Sequence, residues 1–199
     1  MENITHPYLP HLGTTYIVNA QTMLLEPINE DNKKKTIVYE KDRSPFLVEH
    51  PPQEILHNSC LYFLSTYEGR KFSTKTLTNI RHKPPIVIDP VTNVYFFSTH
   101  SDKNDQNRWL SLQHLRGYET YKKEKTLATL SGNVEVVLPV SKKSFVQQYL
   151  KASHLFCRTQ FNLEEIREKT DPSYTVEKQV NRLFVVEYLN RIEQTVNKR

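Results

Sequence analysis

Glycine is scarce in this chain: 199 residues contain only four, Gly13, Gly69, Gly117 and Gly132. No two are close enough for GxGxxG or for GxxxxGK followed by Ser or Thr, the loops that let backbone approach phosphate. A GxSxG nucleophile turn is absent too. Nucleotide hydrolysis, hydride transfer and acyl transfer have no recognisable machinery, so the chain reads as a non-enzyme. Cysteine is equally rare. Cys60 and Cys157 cannot build a four-cysteine zinc site, and they read as reduced, packed thiols rather than a disulfide. None of the eight histidines stands at HxxxH spacing. No metal and no cofactor is expected.

Long apolar runs are also missing. No window approaches the roughly 18 uninterrupted apolar residues of a membrane helix, so no membrane partner is expected. The opening MENITHPYLPHLG has neither a basic stretch nor an apolar stretch of signal-peptide type. The expected location is the cytoplasm.

What the chain does have is aromatic bulk and unevenly placed charge. Eleven tyrosines and nine phenylalanines supply a core large enough for one main domain. The net charge is +5. Residues 1–64 carry five bases and eight acids, whereas Ser65–Lys83 carries five bases (Arg70, Lys71, Lys75, Arg81, Lys83) against Glu68 alone. A polyanion-binding face needs such local excess, although a solvated surface would show it as well. Composition leaves both readings open.

Taken in order, residues 1–13 read as an irregular arm. Thr14–Asn19 and Thr22–Leu25 suggest a hairpin, and Glu30–Lys35 a polar turn. Thr36–Tyr39 and Phe46–Glu49 are strand candidates. Pro51-Pro52 then introduces a helix over 53–64, where Ile55, Leu56, Cys60, Phe63 and Leu64 recur at helical spacing. Thr76–Arg81 alternates as a strand. Ile86–Asp89 and Val94–Ser98 form the clearest hairpin, followed by a polar loop at 100–107 and resumed order at Arg108–Ser111. Tyr118–Lys122, Thr126–Leu130 and Val134–Val140 are further strands, the last two joined by Gly132-Asn133. A helix then starts at Ser141 or Ser144 and carries Phe145, Tyr149, Ala152 and Phe156. A short helix at 162–169 and a final amphipathic one at 175–197 follow. This layout is α+β, with a β-rich, mainly antiparallel middle and helices toward the C-terminus.

The run Tyr67-Glu68-Gly69-Arg70-Lys71, then His82-Lys83-Pro84-Pro85-Ile86 with Asp89-Pro90, then Tyr95-Phe96-Phe97 with Thr99, resembles the competence transcription factor family (ComK-type). Thr99-His100-Ser101-Asp102 with Asn107 and Trp109-Leu110 resembles its staphylococcal branch most. The resemblance covers about 55–161. It implies an α+β DNA-binding domain over 1–161 with a helical extension over 162–199. It further implies an activator of DNA-uptake genes that binds A/T-rich boxes in double-stranded DNA, chiefly through the minor groove. Such a protein works as a homo-oligomer, dimer or tetramer, and is nucleoid-associated when bound. RNA polymerase and proteolytic adaptors are further partner classes. Where Bacillus members carry Pro-Gln-Cys-Gly-Trp, this chain has Asn104-Asp105-Gln106-Asn107-Arg108-Trp109. The first 50 residues and those beyond Phe161 match no motif of the family.

The expected DNA contacts are Arg70, Lys71, Lys75, Arg81 and Lys83, with Arg108 a sixth; Ile86, Phe97 and Trp109 are expected in the core. Competing readings attach to other residues. Tyr62, Phe63, Tyr67, Tyr95, Phe96 and Phe97 could stack single-stranded bases. A protein adaptor could use the 175–197 helix. His100, Asp102, Asp105 and His114 could ligate a metal, and His154 with Cys157 could form a thiol dyad, but neither set has a known spacing.

Overall fold

A chain with so little glycine turns on asparagine instead. In the computed structural model, which describes residues 16–30 and 32–170, Asn32, Asn79, Asn93 and Asn133 all adopt positive φ, between 56° and 60°. Asparagine tolerates this region better than other non-glycine residues, because its short side chain bonds locally.

Asn32 lies in the turn between β1 (Thr22–Glu30) and β2 (Lys33–Glu40). The expected Thr22–Leu25 hairpin with 14–19 therefore gives way to a longer β1–β2 hairpin. Residues 16–19 are not a strand; Thr22 N–H closes on the Asn19 carbonyl at 3.0 Å and redirects the chain. Lys33–Lys35, expected in a polar turn, belong to β2. Lys35 is held between Glu30 (3.0 Å) and Glu49 (3.1 Å). After β3 (Phe46–Val48) comes α1 (Pro52–Tyr62), close to the expected helix.

The largest departure follows. Thr76–Arg81 is not a strand: α2 runs Tyr67–Thr78. The Thr66 side chain caps it, accepting the Gly69 N–H at 3.0 Å. Asn79 ends it in the left-handed region, its N–H on the Lys75 carbonyl at 2.9 Å. Threonines that favour strands are accommodated because their hydroxyls bond back one turn, Thr78 to the Thr74 carbonyl (2.7 Å) and Thr76 to that of Phe72 (3.0 Å). Gly69 is required for space: a Cβ there would lie 2.8 Å from Thr66 Oγ1. Thr66→Ala is expected to cost about 1 kcal/mol, read as a shift of the urea midpoint.

β4 (Ile86–Asp89), β5 (Val94–Ser98) and β6 (Trp109–Ser111) complete a six-stranded antiparallel sheet of order β3-β2-β1-β6-β5-β4. β7 (Leu115–Lys122), β8 (Lys125–Leu130) and β9 (Val134–Leu138) form a second sheet, with Gly132 and Asn133 both at positive φ in the last turn. One continuous α3 (Lys142–Thr170) replaces the two helices expected over 141–169. No glycine or proline interrupts that stretch. The expected 175–197 helix lies outside the described residues.

Because side chains alternate along a strand, adjacent core residues of the large sheet split between its two faces. Leu25, Phe96 and Trp109 pack with Ile55, Leu56, Cys60 and Tyr67 of the two short helices. Their neighbours Leu24, Phe97 and Leu110 pack with Ala128, Leu130, Leu138, Phe145 and Ala152. The fold is thus α+β in three layers, with the large sheet in the middle. Ile86, Phe97 and Trp109 lie in the core, at 2% exposure or less.

His114 ties the layers together. Its Nε2 donates to the Ala20 carbonyl (2.8 Å), and its Nδ1 accepts from Ser131 (3.0 Å). Burial holds the imidazole below its ordinary pKa, with nearby Arg116 and Lys41 acting the same way. The unfolded chain therefore takes up this proton first as pH falls, so His114 stabilises the fold above about pH 6.5 and the contribution is lost below it. His114→Gln should flatten the fall in melting temperature between about pH 7 and pH 5.

Candidate nucleic-acid interface

Helix α2 decides which of the expected cations face outward. Tyr67, Thr74 and Thr78 point into the molecule, whereas Glu68, Phe72, Ser73, Lys75, Thr76 and Asn79 point out. Arg70 and Lys71 fall between these faces, and both are half-buried. The Arg70 Nε has no hydrogen-bond partner, and its charge lies close enough to Cys60 to lower that thiol's pKa. Burial outweighs it and pushes Cys60 up to about 11, so the thiol is protonated and unreactive. Lys71 is engaged by Asp102, with Glu68 at 4.0 Å and its Nζ 4.9 Å from the centre of the Tyr67 ring.

Beyond Asn79 the chain leaves the helix with Arg81 and His82 exposed. Lys83 is half-buried at φ 47°, its Nζ 3.5 Å from the Thr99 carbonyl. Here α3 adds a cation that sequence reasoning misses: Lys151 donates to the His82 carbonyl at 2.8 Å. Burial lowers the pKa of both lysines, and the Lys83 charge lowers that of Lys151 further. His100 is depressed by burial, then by Lys83 and Arg108, and is neutral at pH 7. Among the described residues, Lys75, Arg81, Lys83 and Lys151 have no carboxylate within ion-pair distance. No ion pair therefore neutralises their charge, which leaves a local positive potential that can attract a polyanion.

Arg108 is placed differently. One guanidinium nitrogen engages Glu26 and another the Val137 carbonyl, so the side chain bridges the two sheets. The six expected contacts thus separate. Lys75 is exposed on the last turn of α2 and Arg81 and Lys83 follow just beyond its end, whereas Arg70 is half-buried and Lys71 and Arg108 hold carboxylates. Lys151 leaves only a faint trace in the sequence, its two-turn spacing from Lys143 on α3.

The competing sites fare as follows. Tyr95, Phe96 and Phe97 are buried, as is Tyr67, so these rings offer no open face to bases. Asp102 holds Lys71, and Asp105 holds Lys34 at 2.6 Å. His114 is buried against Ala20 and Ser131, and no group of three metal-binding side chains gathers among the described residues. Burial raises the Cys157 thiol above its ordinary pKa, the wrong direction for a nucleophile. No helix among the described residues is long and apolar enough to cross a membrane.

Comparison with known proteins gives two matches. The family described as ComK protein matches residues 13–164. A protein of Bacillus subtilis (strain 168) named competence transcription factor is 35% identical over 147 residues, which is 74% of this chain and 75% of that one. No solved structure matches.

Proposed function

This chain belongs to the ComK family, the family of a competence transcription regulator, and from that premise we propose that it activates transcription by binding A/T-rich boxes in double-stranded DNA. Contact is through the minor groove, by a self-associated form of the protein. The observation that carries this reading is the pair of cations Lys83 and Lys151, brought together where the Asn79–Lys83 segment meets α3, with exposed Lys75 and Arg81 close by in the chain and none of the four paired with a carboxylate.

The character of α2 supports this choice of groove. Helices α1 and α2 are joined by four residues, a spacing that a helix-turn-helix reader could use. In such readers the N-terminal residues of the second helix reach base edges in the major groove. Here those residues are buried Tyr67, acidic Glu68, Gly69 and half-buried Arg70. They form a poor reading edge. An exposed arginine such as Arg81 suits instead the narrow, strongly negative minor groove of an A-tract. Minor-groove readout distinguishes A·T from G·C and little more, so spaced boxes need a symmetric or tandem assembly to be selected.

The reading is tested by comparing a two-box duplex with each of its separated strands, alone and in competition with a small minor-groove ligand. Preference for the duplex, abolished by the ligand, is the expected result. Tighter binding to a single strand would overturn it, and persistence in the ligand's presence would move the contact to the major groove.

A further inference from the structure

Ion pairing divides the described surface into two kinds. Around β1–β3 and the 100–107 loop, most lysines and arginines are matched: Lys34 with Asp105, Lys35 with Glu30 and Glu49, Arg43 with Glu40, and Lys71 with Asp102, while exposed Lys33 and Lys103 are not. The tip of the β7–β8 hairpin differs. Lys122, Lys123 and Lys125 are all exposed there, on either side of Glu124, and Lys122 pairs across the turn with Lys125. At the start of α3, Lys142 and Lys143 are exposed as well.

These two groups adjoin. Thr126, next to Lys125, donates its hydroxyl to the Val140 carbonyl at 2.8 Å, which fixes the start of β8 against the lead into α3. Lys142 reaches over β7, its Nζ 5.8 Å from the centre of the Tyr118 ring. Among the described residues, none of the five lysines has a carboxylate within ion-pair distance. With only Glu119 and Glu124 as acids on the hairpin, five lysines leave an excess of three positive charges.

Resting on the duplex-binding reading above, we propose that this hairpin tip, with Lys142 and Lys143, is a second phosphate-binding surface that grips the backbone of the same DNA beside the A/T box. Helix α3 supplies the geometry. Lys143 and Lys151 lie eight residues apart on it, about 12 Å along the axis. That separation corresponds to roughly three to four base pairs along a duplex. The lead into one end of this helical span is tied to the start of β8, beside Lys125, and its other end meets Lys83 and the His82 carbonyl. Exposed lysines suit phosphate oxygens as point charges, and such contacts fix register without reading sequence.

The test is the salt dependence of binding for the full chain carrying Lys122→Ala, Lys123→Ala and Lys125→Ala together, measured on a long two-box duplex. Each phosphate contact contributes about 0.9 to the slope of log K against log salt, so the slope should become shallower by about 2 to 3. Affinity should fall by the same factor on A/T and G·C duplexes, and lysine-to-arginine replacement at the three positions should restore it. An unchanged slope, in a protein whose melting temperature is also unchanged and whose binding still depends on Arg81, overturns this proposal alone. If the unsubstituted protein binds no duplex, both the proposal and the reading beneath it fall. If the triple variant binds DNA normally but no longer self-associates in sedimentation, the surface is a protein contact and the proposal is overturned.

Discussion

Replacing Arg81 and Lys83 together by alanine should weaken binding to an A/T-box duplex by roughly 10- to 100-fold, on the order of 1–3 kcal/mol. The salt slope should fall by about 2. Arg81 is exposed and Lys83 half-buried, the latter held only by the Thr99 carbonyl, so their removal leaves no buried charge unpaired. Stability should therefore change little, by about 0.5 kcal/mol or less for Arg81 alone. Lys71→Ala provides the contrast. Its partner Asp102 is 25% exposed, and losing the lysine leaves that carboxylate beside Tyr67 without its cation. The cost should appear as about 1–2 kcal/mol of stability, discounted from a fully buried pair, with the DNA salt slope unchanged. A calorimetric melt and a binding titration on the two variants separate these outcomes. Loss of affinity in Lys71→Ala at full stability would return Lys71 to the contact face.

The second large effect concerns Trp109. It is 2% exposed on the helix-facing side of the large sheet, with the Tyr67 ring edge-on at 6.2 Å. Its strand, β6, joins the two halves of that sheet by pairing with β1 and β5. Trp109→Ala should cost about 3–5 kcal/mol, from lost burial plus the cavity left behind. That is about a fifth or more of the stability of a typical domain. Because Trp109 is the only tryptophan in the chain, unfolding of the variant is followed by circular dichroism rather than tryptophan fluorescence. A loss below about 1 kcal/mol would mean that α2 does not depend on this contact.

How far these sites can be read from sequence depends on what each signal encodes. Helix α1 is legible because Ile55, Leu56 and Cys60 recur at helical spacing behind two prolines. The β4–β5 hairpin is legible because β-branched and aromatic residues flank a turn containing Asn93. Helix α2 is not, because Thr74, Thr76 and Thr78 mimic a two-residue period while their real constraint is the backbone hydroxyl bond. That one misreading also blurs the site. A charge count along Ser65–Lys83 treats five cations as one face, whereas a helix turns about 100° per residue and carries Arg70 inward. Lys151 and the lysines of the hairpin tip escape notice for the opposite reason, since folding brings them near other cations from distant parts of the chain. Family membership is legible throughout, because the matching motifs lie in fixed order across β4, β5 and β6.

The proposed recognition of A/T-rich duplex DNA assigns the contact to the unpaired cations on and just beyond the last turn of α2. The most direct measurement is affinity for a duplex with two A/T boxes and for its G·C-substituted counterpart, each across a salt series. Tighter binding to the A/T duplex, with affinity on both falling steeply as salt rises, is the predicted result. Equal affinity for the two duplexes at every salt concentration would contradict it.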